Sequence, residues 1–272
     1  MCGVIHVNFS ATACGIRYGT SSVFSAKHMK RIFLIFLLLL IVAAVVWYCS
    51  PYRTLIPGLR SHNYTYANYL EEMDSVNTAR NTLLKKFNDN IANAAGKDRV
   101  LEKAGKEFKD RLYTRLFNYW YEKDWDYNGT SDKPGEGSIA CGYFVTTLLR
   151  DMGVKLDRSG LAQCASEAMI KRLASPKYIH RFSNYSIADY VKEIKKLGDG
   201  IYLTGLDNHT GFTVCDNGKV YFVHSGGGSP ARVLKEEALA CGLLSASHYR
   251  VVGKITDDVV FLTKWLEGEK FD

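Results

Sequence analysis

The residues here whose types and spacing can do chemistry are Cys141, His209 and His224. A cysteine attacks as its thiolate, so it needs a base within reach, and the base needs a third group to hold its ring. Cys141 lies in GSIACGYFVTTLLRDMG, from Gly137 to Gly153. Phe144, Val145, Leu148, Leu149 and Met152 recur at the spacing of a helix with one buried face, and Gly153 supplies a stop. The spacing predicts a helix beginning near Ser138 and capped by it. Cys141 then falls in the first turn, where free N–H groups and the helix dipole favour a thiolate. Taken alone, a free cysteine is more often a small buried apolar residue, and nothing local supplies a base.

The histidines are placed by a turn. HTGFTVCDNGKVYFVHS, from His209 to Ser225, alternates like two strands around Asn217-Gly218, a strong hairpin signal. A two-residue loop there pairs Asp216 with Lys219, Cys215 with Val220, Thr213 with Phe222 and Gly211 with His224. Opposed residues share a face, as do residues two apart on one strand. His209 and His224 are therefore diagonal neighbours on one face, roughly 7 Å apart in backbone, and Gly211 leaves the space between them clear. Either histidine alone has a plain reading as a satisfied polar residue on a strand. Together with Cys141 they make the nucleophile, base and orienting group of a thiol triad. Asp207, Asn208 and Asp216 are alternatives to His224 as the third group, without its clear place on that face.

The elements around these residues change period along the chain. Val76, Leu83, Leu84, Phe87 and Ile91 form one helical stripe, and Leu101, Ala104, Phe108, Leu112, Leu116 and Trp120 form a second. Trp125 to Gly137 is loop. Further helices are expected from Ser159 to Leu173, with Cys164 inside, and from Ser186 to Leu197, closed by Gly198. Strands follow at Ile201 to Leu206 and in the hairpin. A helix is expected around Leu234 to Leu243, a strand around Tyr249 to Ile255 and a last helix from about Asp257 to Leu266. Helices first and an antiparallel sheet after them make an α+β domain.

The net charge of +7 dissolves when it is located. Residues 1–49 hold Arg17, Lys27, Lys30 and Arg31 and no acid, leaving 31 basic and 28 acidic residues beyond them. That balance carries no nucleic-acid footprint. Ile32 to Cys49 is 18 residues without a charge, preceded by Lys30 and Arg31. It is long enough to span a bilayer with its N-terminal side in the cytoplasm. Bulky Val46, Trp47 and Tyr48 stand where signal-peptide cleavage wants small residues, which favours an uncleaved anchor. The organisation expected is 1–28 a leader from an upstream start, 29–49 a single-pass membrane anchor, 50–120 a tether and helical segment, and 121–272 an extracytoplasmic catalytic domain. No Cys/His spacing suggests zinc, and the cysteines beyond the anchor allow at most one disulfide if Cys141 is free.

The order WDYNGTSDKPGEGSIACGYFVTTLLRDMG, then DNHTGFTVCDNGKVYFVHS, resembles the NlpC-type cell-wall cysteine peptidases of the papain-like superfamily. The shared pattern is a tyrosine before a Gly-rich loop, a cysteine opening a helix, a histidine entering a strand, and a hairpin ending in a second histidine. It covers Trp125 to Gly226, about a third of the chain. The resemblance implies a papain-like core with Cys141 as nucleophile, His209 as base, His224 as third member, and Tyr127 near the oxyanion beside the backbone N–H of Cys141. It implies peptidoglycan stem peptides as substrate and no cofactor. Ala140 replaces the acid usual before the cysteine, and Tyr143 stands where glycine is common. Those departures motivate an alternative, a catalytically silent cell-wall or partner-binding module. Thiol-dependent acyl transfer at the membrane is a third reading. Asn-x-Ser/Thr sites at Asn63, Asn128, Asn184 and Asn208, two of them flanking the triad, favour a cell that does not glycosylate them, such as a bacterial envelope.

Overall fold

The computed structural model of the chain describes residues 35–40, 64–90, 92–228 and 231–271. Residues 35–40 are helical, and the rest of the expected anchor, with the leader, lies outside the described residues. No helix among the described residues is long and apolar enough to cross a membrane.

Asn63–Asp272 forms one compact unit. It opens with α1 (Tyr66–Asp89) and α2 (Ala94–Asp110), capped by Thr65 and Asn93. The stripe expected to continue α2 to Trp120 does so through a π-helical turn, Arg111–Leu116, into α3 (Phe117–Trp120). After a loop comes α4 (Cys141–Asp151), then β1 (Lys155–Leu156), α5 (Arg158–Gln163) and α6 (Ser166–Leu173). The single helix expected over Ser159–Leu173 is thus broken, with Cys164 extended between the halves and Asp157 as the cap of the first. Next are β2 (Ile179–Ser183), α7 (Ile187–Leu197), β3 (Gly200–Gly205), β4 (Thr210–Asp216) and β5 (Lys219–Gly226). Ser186 caps α7 and Gly198, at φ 87°, ends it. The chain closes with β6 (Arg232–Glu237), α8 (Gly242–Ala246), β7 (Tyr249–Lys254), α9 (Val259–Glu267) and β8 (Lys270–Phe271).

Six strands make one antiparallel sheet in the order β2-β7-β3-β4-β5-β6, so the protein is mixed α+β. Residues of β3 to β5 alternate between two covered faces. Ile201, Leu203, Phe212, Val214 and Val223 pack with α1, α2, α4, α6 and α9. Tyr202, Cys215, Val220 and Phe222 pack with α7 and α8. With both faces covered, these strands are buried at almost every position. The expected hairpin register holds: Asp216 pairs with Lys219, Cys215 with Val220 and Thr213 with Phe222.

The helix expected over Leu234–Leu243 is a correction. Leu, Lys and Glu favour helix, but Arg232–Glu237 is captured as an edge strand by β5, pairing His224 with Leu234 and Phe222 with Glu236. Tertiary pairing outweighs propensities worth tenths of a kcal/mol per residue. Only the short α8 remains of that helix.

The far end of α4 is locked to α1. Buried Tyr69 donates to Asp151 at 2.6 Å and accepts from the Trp120 indole at 3.0 Å. Asp258, fully buried, caps α9 through the N–H groups of Val260 and Phe261 and also accepts from Ser175, at 2.8 Å from its hydroxyl. Asp258→Ala loses the cap and strands buried donors, so a loss of about 2–4 kcal/mol is expected in urea unfolding.

Candidate functional site

The thiol is positioned by a loop that folds back on itself. Ala140 N–H donates to Gly129 O at 2.8 Å, Ile139 N–H to Asp124 O at 3.0 Å, and Thr130 bridges Ile139. From the sheet, the buried Ser225 hydroxyl donates to Ile139 O at 2.6 Å. Together these fix the two residues ahead of Cys141, which is the first residue of α4. Ser138 is not its cap: Ala140 holds that position with no side-chain hydrogen bond. The backbone N–H groups that a serine cap would have satisfied stay free for the sulfur, and those of Cys141 and Gly142 point at it. Gly142 is required by packing, since a Cβ there would run into the backbone of Ala162.

The third donor to the sulfur comes from the sheet. The N–H of Thr210, the residue after His209, also points at Sγ and brings the thiol to the start of β4. His209 enters that strand from a tight turn in which Leu206 N–H donates to His209 O at 2.8 Å. His209 Nε2 and His224 Nδ1 are 2.9 Å apart, with the rings nearly perpendicular at 5.0 Å between centroids. The diagonal predicted from the Asn217-Gly218 turn is the one observed. The space for it comes from glycine: a Cβ on Gly211 would lie 2.8 Å from His224 Cβ, and one on Gly226 would lie 2.8 Å from His224 Nδ1. Phe222 stacks on the His224 ring at 4.6 Å.

One member of the cluster was missed by sequence reasoning. His224 Nε2 lies 2.7 Å from Glu236 Oε2, on the strand expected to be helix. His224 pairs with Leu234, so Glu236 is its diagonal neighbour on β6 as His209 is on β4. The signal was present in RVLKEE had it been read as a strand, since the β5–β6 register then places Glu236 beside His224.

The pairings fix the protons. An ionised carboxylate only accepts, so His224 Nε2 carries hydrogen. Burial pushes the His224 pKa below its ordinary value despite Glu236, and burial, with the neighbouring His224, pushes His209 down to about 3. Both rings are therefore neutral near pH 7, each with one proton. His224 Nδ1 then accepts from His209 Nε2–H. That leaves the lone pair of His209 Nδ1, the ring nitrogen nearer its own backbone, free to take a proton.

The thiol departs from expectation. Burial pushes the Cys141 pKa above its ordinary value, outweighing the N–H groups of Thr210, Gly142 and Cys141 that pull it down. At rest Cys141 is a thiol and His209 a neutral imidazole; no hydrogen bond joins the two among the described residues, and the link between them is the N–H of Thr210, the residue after His209.

Tyr127 is 81% exposed in the loop before α4 and no hydrogen bond or ring contact joins it to the cluster. Tyr143, where glycine is common in the resembled family, is half-buried on α4, accepting from Gln163 at 2.8 Å with the Arg158 guanidinium 4.7 Å from its ring. A cleft of about 390 Å³ reaches His209, lined in part by Leu206, Asn208, Gly227, Gly228 and Leu243. The four cysteines of this unit, Cys141, Cys164, Cys215 and Cys241, are all free.

Compared with protein-family models, curated proteins and solved structures, the chain matches none. The site is therefore read from its own geometry.

A raised thiol pKa has a direct readout in the free protein. The rate of Cys141 alkylation by iodoacetamide should climb about tenfold per pH unit through pH 9 without a plateau, because only the thiolate reacts. A plateau near neutrality would show a preformed thiolate.

Proposed function

We propose that this protein is a cysteine amidase or peptidase that opens amide bonds through a thioester on Cys141. The observation that carries the reading is the 2.9 Å contact between His209 Nε2 and His224 Nδ1 at the strand whose Thr210 N–H meets the Cys141 sulfur. In this reading the Cys141 thiol gives its proton to His209 Nδ1 as the sulfur attacks the carbonyl carbon. The imidazolium so formed is held by Nε2–H donating to His224, which in turn donates to Glu236. The oxyanion meets the free N–H groups at the start of α4. His209 then passes its proton to the leaving amine. A water, deprotonated by the same ring, cleaves the thioester and restores the thiol.

The papain-like arrangement belongs to this proposal. Its support is a helix opened by cysteine on a sheet whose neighbouring strands carry the base and its partner, in the order expected from the resemblance to NlpC-type peptidases. Peptidoglycan stem peptides are the proposed substrate. The support for that choice is the resemblance together with the charge-free Ile32–Cys49 stretch, which would hold the catalytic unit outside the cytoplasmic membrane. Tyr127 does not enter this mechanism, being exposed and unconnected to the cluster.

A second reading has its own observation. Burial keeps both Cys141 and His209 neutral, as suits a silent module that uses the cleft to hold cell wall. Digestion of purified peptidoglycan, followed by mass spectrometry of the released muropeptides, separates the two. The amidase reading expects new amine ends from the wild type, none from Cys141→Ala, and a loss of at least 100-fold in His209→Gln. Glu236→Gln keeps the shape but weakens the hold on His224, so a fall of about 10-fold in kcat with little change in KM is expected. Wild-type digestion equal to that of Cys141→Ala would leave the binding module.

A further inference from the structure

Behind the site, on the side of His224 away from His209, the fold brings together three groups far apart in sequence. His224, Glu236 and Cys241 each offer one ligand atom, and these atoms all lie within 4.8 Å of one another. The Cys241 sulfur is 3.4 Å from Glu236 Oε2, and that oxygen is 2.7 Å from His224 Nε2. His224 and Cys241 are buried, while the Glu236 side chain is 32% exposed and gives a way in. Burial pushes the Cys241 thiol up to about 11, with Glu236 adding to it and the N–H groups of Leu244 and Leu243 opposing, so the metal-free site holds a thiol whose proton a metal must displace.

We propose that His224, Glu236 and Cys241 form a site for zinc or a similar divalent transition metal, and that its occupancy switches the thiol site off. The donor set is one imidazole, one thiolate and one carboxylate, which suits zinc and not magnesium or calcium. Tetrahedral zinc holds such donors roughly 3.3–3.6 Å apart, given metal–ligand bonds of about 2.0–2.3 Å. The sulfur–oxygen separation already fits. The nitrogen–oxygen pair opens by less than about 1 Å once the proton between them is gone, and the exposed side leaves the fourth position to water.

The switch follows from the tautomers and rests on the amidase reading. A metal on His224 Nε2 takes the place of its hydrogen, so the neutral ring carries its proton on Nδ1 instead. His224 Nδ1–H then donates to His209 Nε2, reversing the hydrogen bond. His209 in turn carries its proton on Nδ1, and the lone pair that would accept from Cys141 is lost. The balance is simple: each ring keeps one proton, moved from Nε2 to Nδ1, and the Cys241 proton leaves for solvent.

Cobalt(II) reports thiolate ligation through its sulfur-to-metal charge-transfer absorption, and it can be titrated into the full chain carrying Cys141→Ala to remove the nucleophile. A band saturating at one equivalent is expected, abolished by adding Cys241→Ser and at least 10-fold weaker in affinity with Glu236→Gln. No band, or a band undiminished in the Cys141→Ala, Cys241→Ser double variant, would overturn the site. In the wild-type chain, zinc should slow the labelling of Cys141 by a peptidyl vinyl sulfone at pH 7, which needs His209 to take the thiol proton, at least 10-fold, reversed by chelator, and Cys241→Ser should remove the effect. Metal binding without slowing would overturn the switch. The cobalt band does not depend on hydrolysis, so an intact band in a protein that never cleaves an amide would count against the amidase reading alone.

Discussion

His224 is 1% exposed, and a buried imidazole leaves neither nitrogen unpaired without cost. Much of the arrangement around it follows from that constraint. Nδ1 is met by His209 from β4 and Nε2 by Glu236 from β6, each across one diagonal of the sheet. The ring fits only because Gly211 and Gly226 carry no side chain where it lies, and Phe222 covers one of its faces. A shift of one residue in either strand pairing would turn His209 or Glu236 to the opposite face. The geometry thus depends on the Asn217-Gly218 turn on one side and on the capture of β6 on the other.

The same burial sets the chemistry. Desolvation pushes the Cys141 pKa up harder than the N–H groups of Thr210, Gly142 and Cys141 pull it down, and it likewise pushes His209 down to about 3. Cys141 and His209 therefore both resist charge for the same reason and are neutral at rest. Glu236 and His224 decide which nitrogen of His209 is bare. In the metal-site proposal, the direction of the His209–His224 hydrogen bond is what would link the sheet face behind the site to the thiol.

The parts of this that were legible in the sequence are those written in local pattern. The stripe Phe144, Val145, Leu148, Leu149 marks α4, and Asn217-Gly218 fixes the register that puts His209 beside His224. Ser186 and Gly198 bound α7 as their chemistry requires. What was not legible depended on contacts between distant segments. RVLKEE has helix-forming residues and becomes a strand only because β5 has an open edge, so Glu236 stayed hidden. Ser138 looked like a cap, but the Gly129 and Asp124 carbonyls hold the chain extended to Ala140, so the helix begins at the cysteine itself. Ser159–Leu173 looked continuous, but the chain turns at Cys164. The thiol's ionisation was misjudged because a sequence shows the helix start and not the burial that opposes it.

The claim that Cys141 is activated through His209 can be tested without knowing the substrate. A peptidyl vinyl sulfone reacts with a thiol only as the proton leaves sulfur and is delivered to the adduct carbon, so its rate at pH 7 reads the pair directly. Rapid labelling of Cys141 in the full chain is predicted, slowed at least 100-fold in His209→Ala and about 10-fold in Glu236→Gln, with labelling of other cysteines unchanged. Equal rates in wild type and His209→Ala would contradict the account, because the thiol would then be working, or idle, without its base.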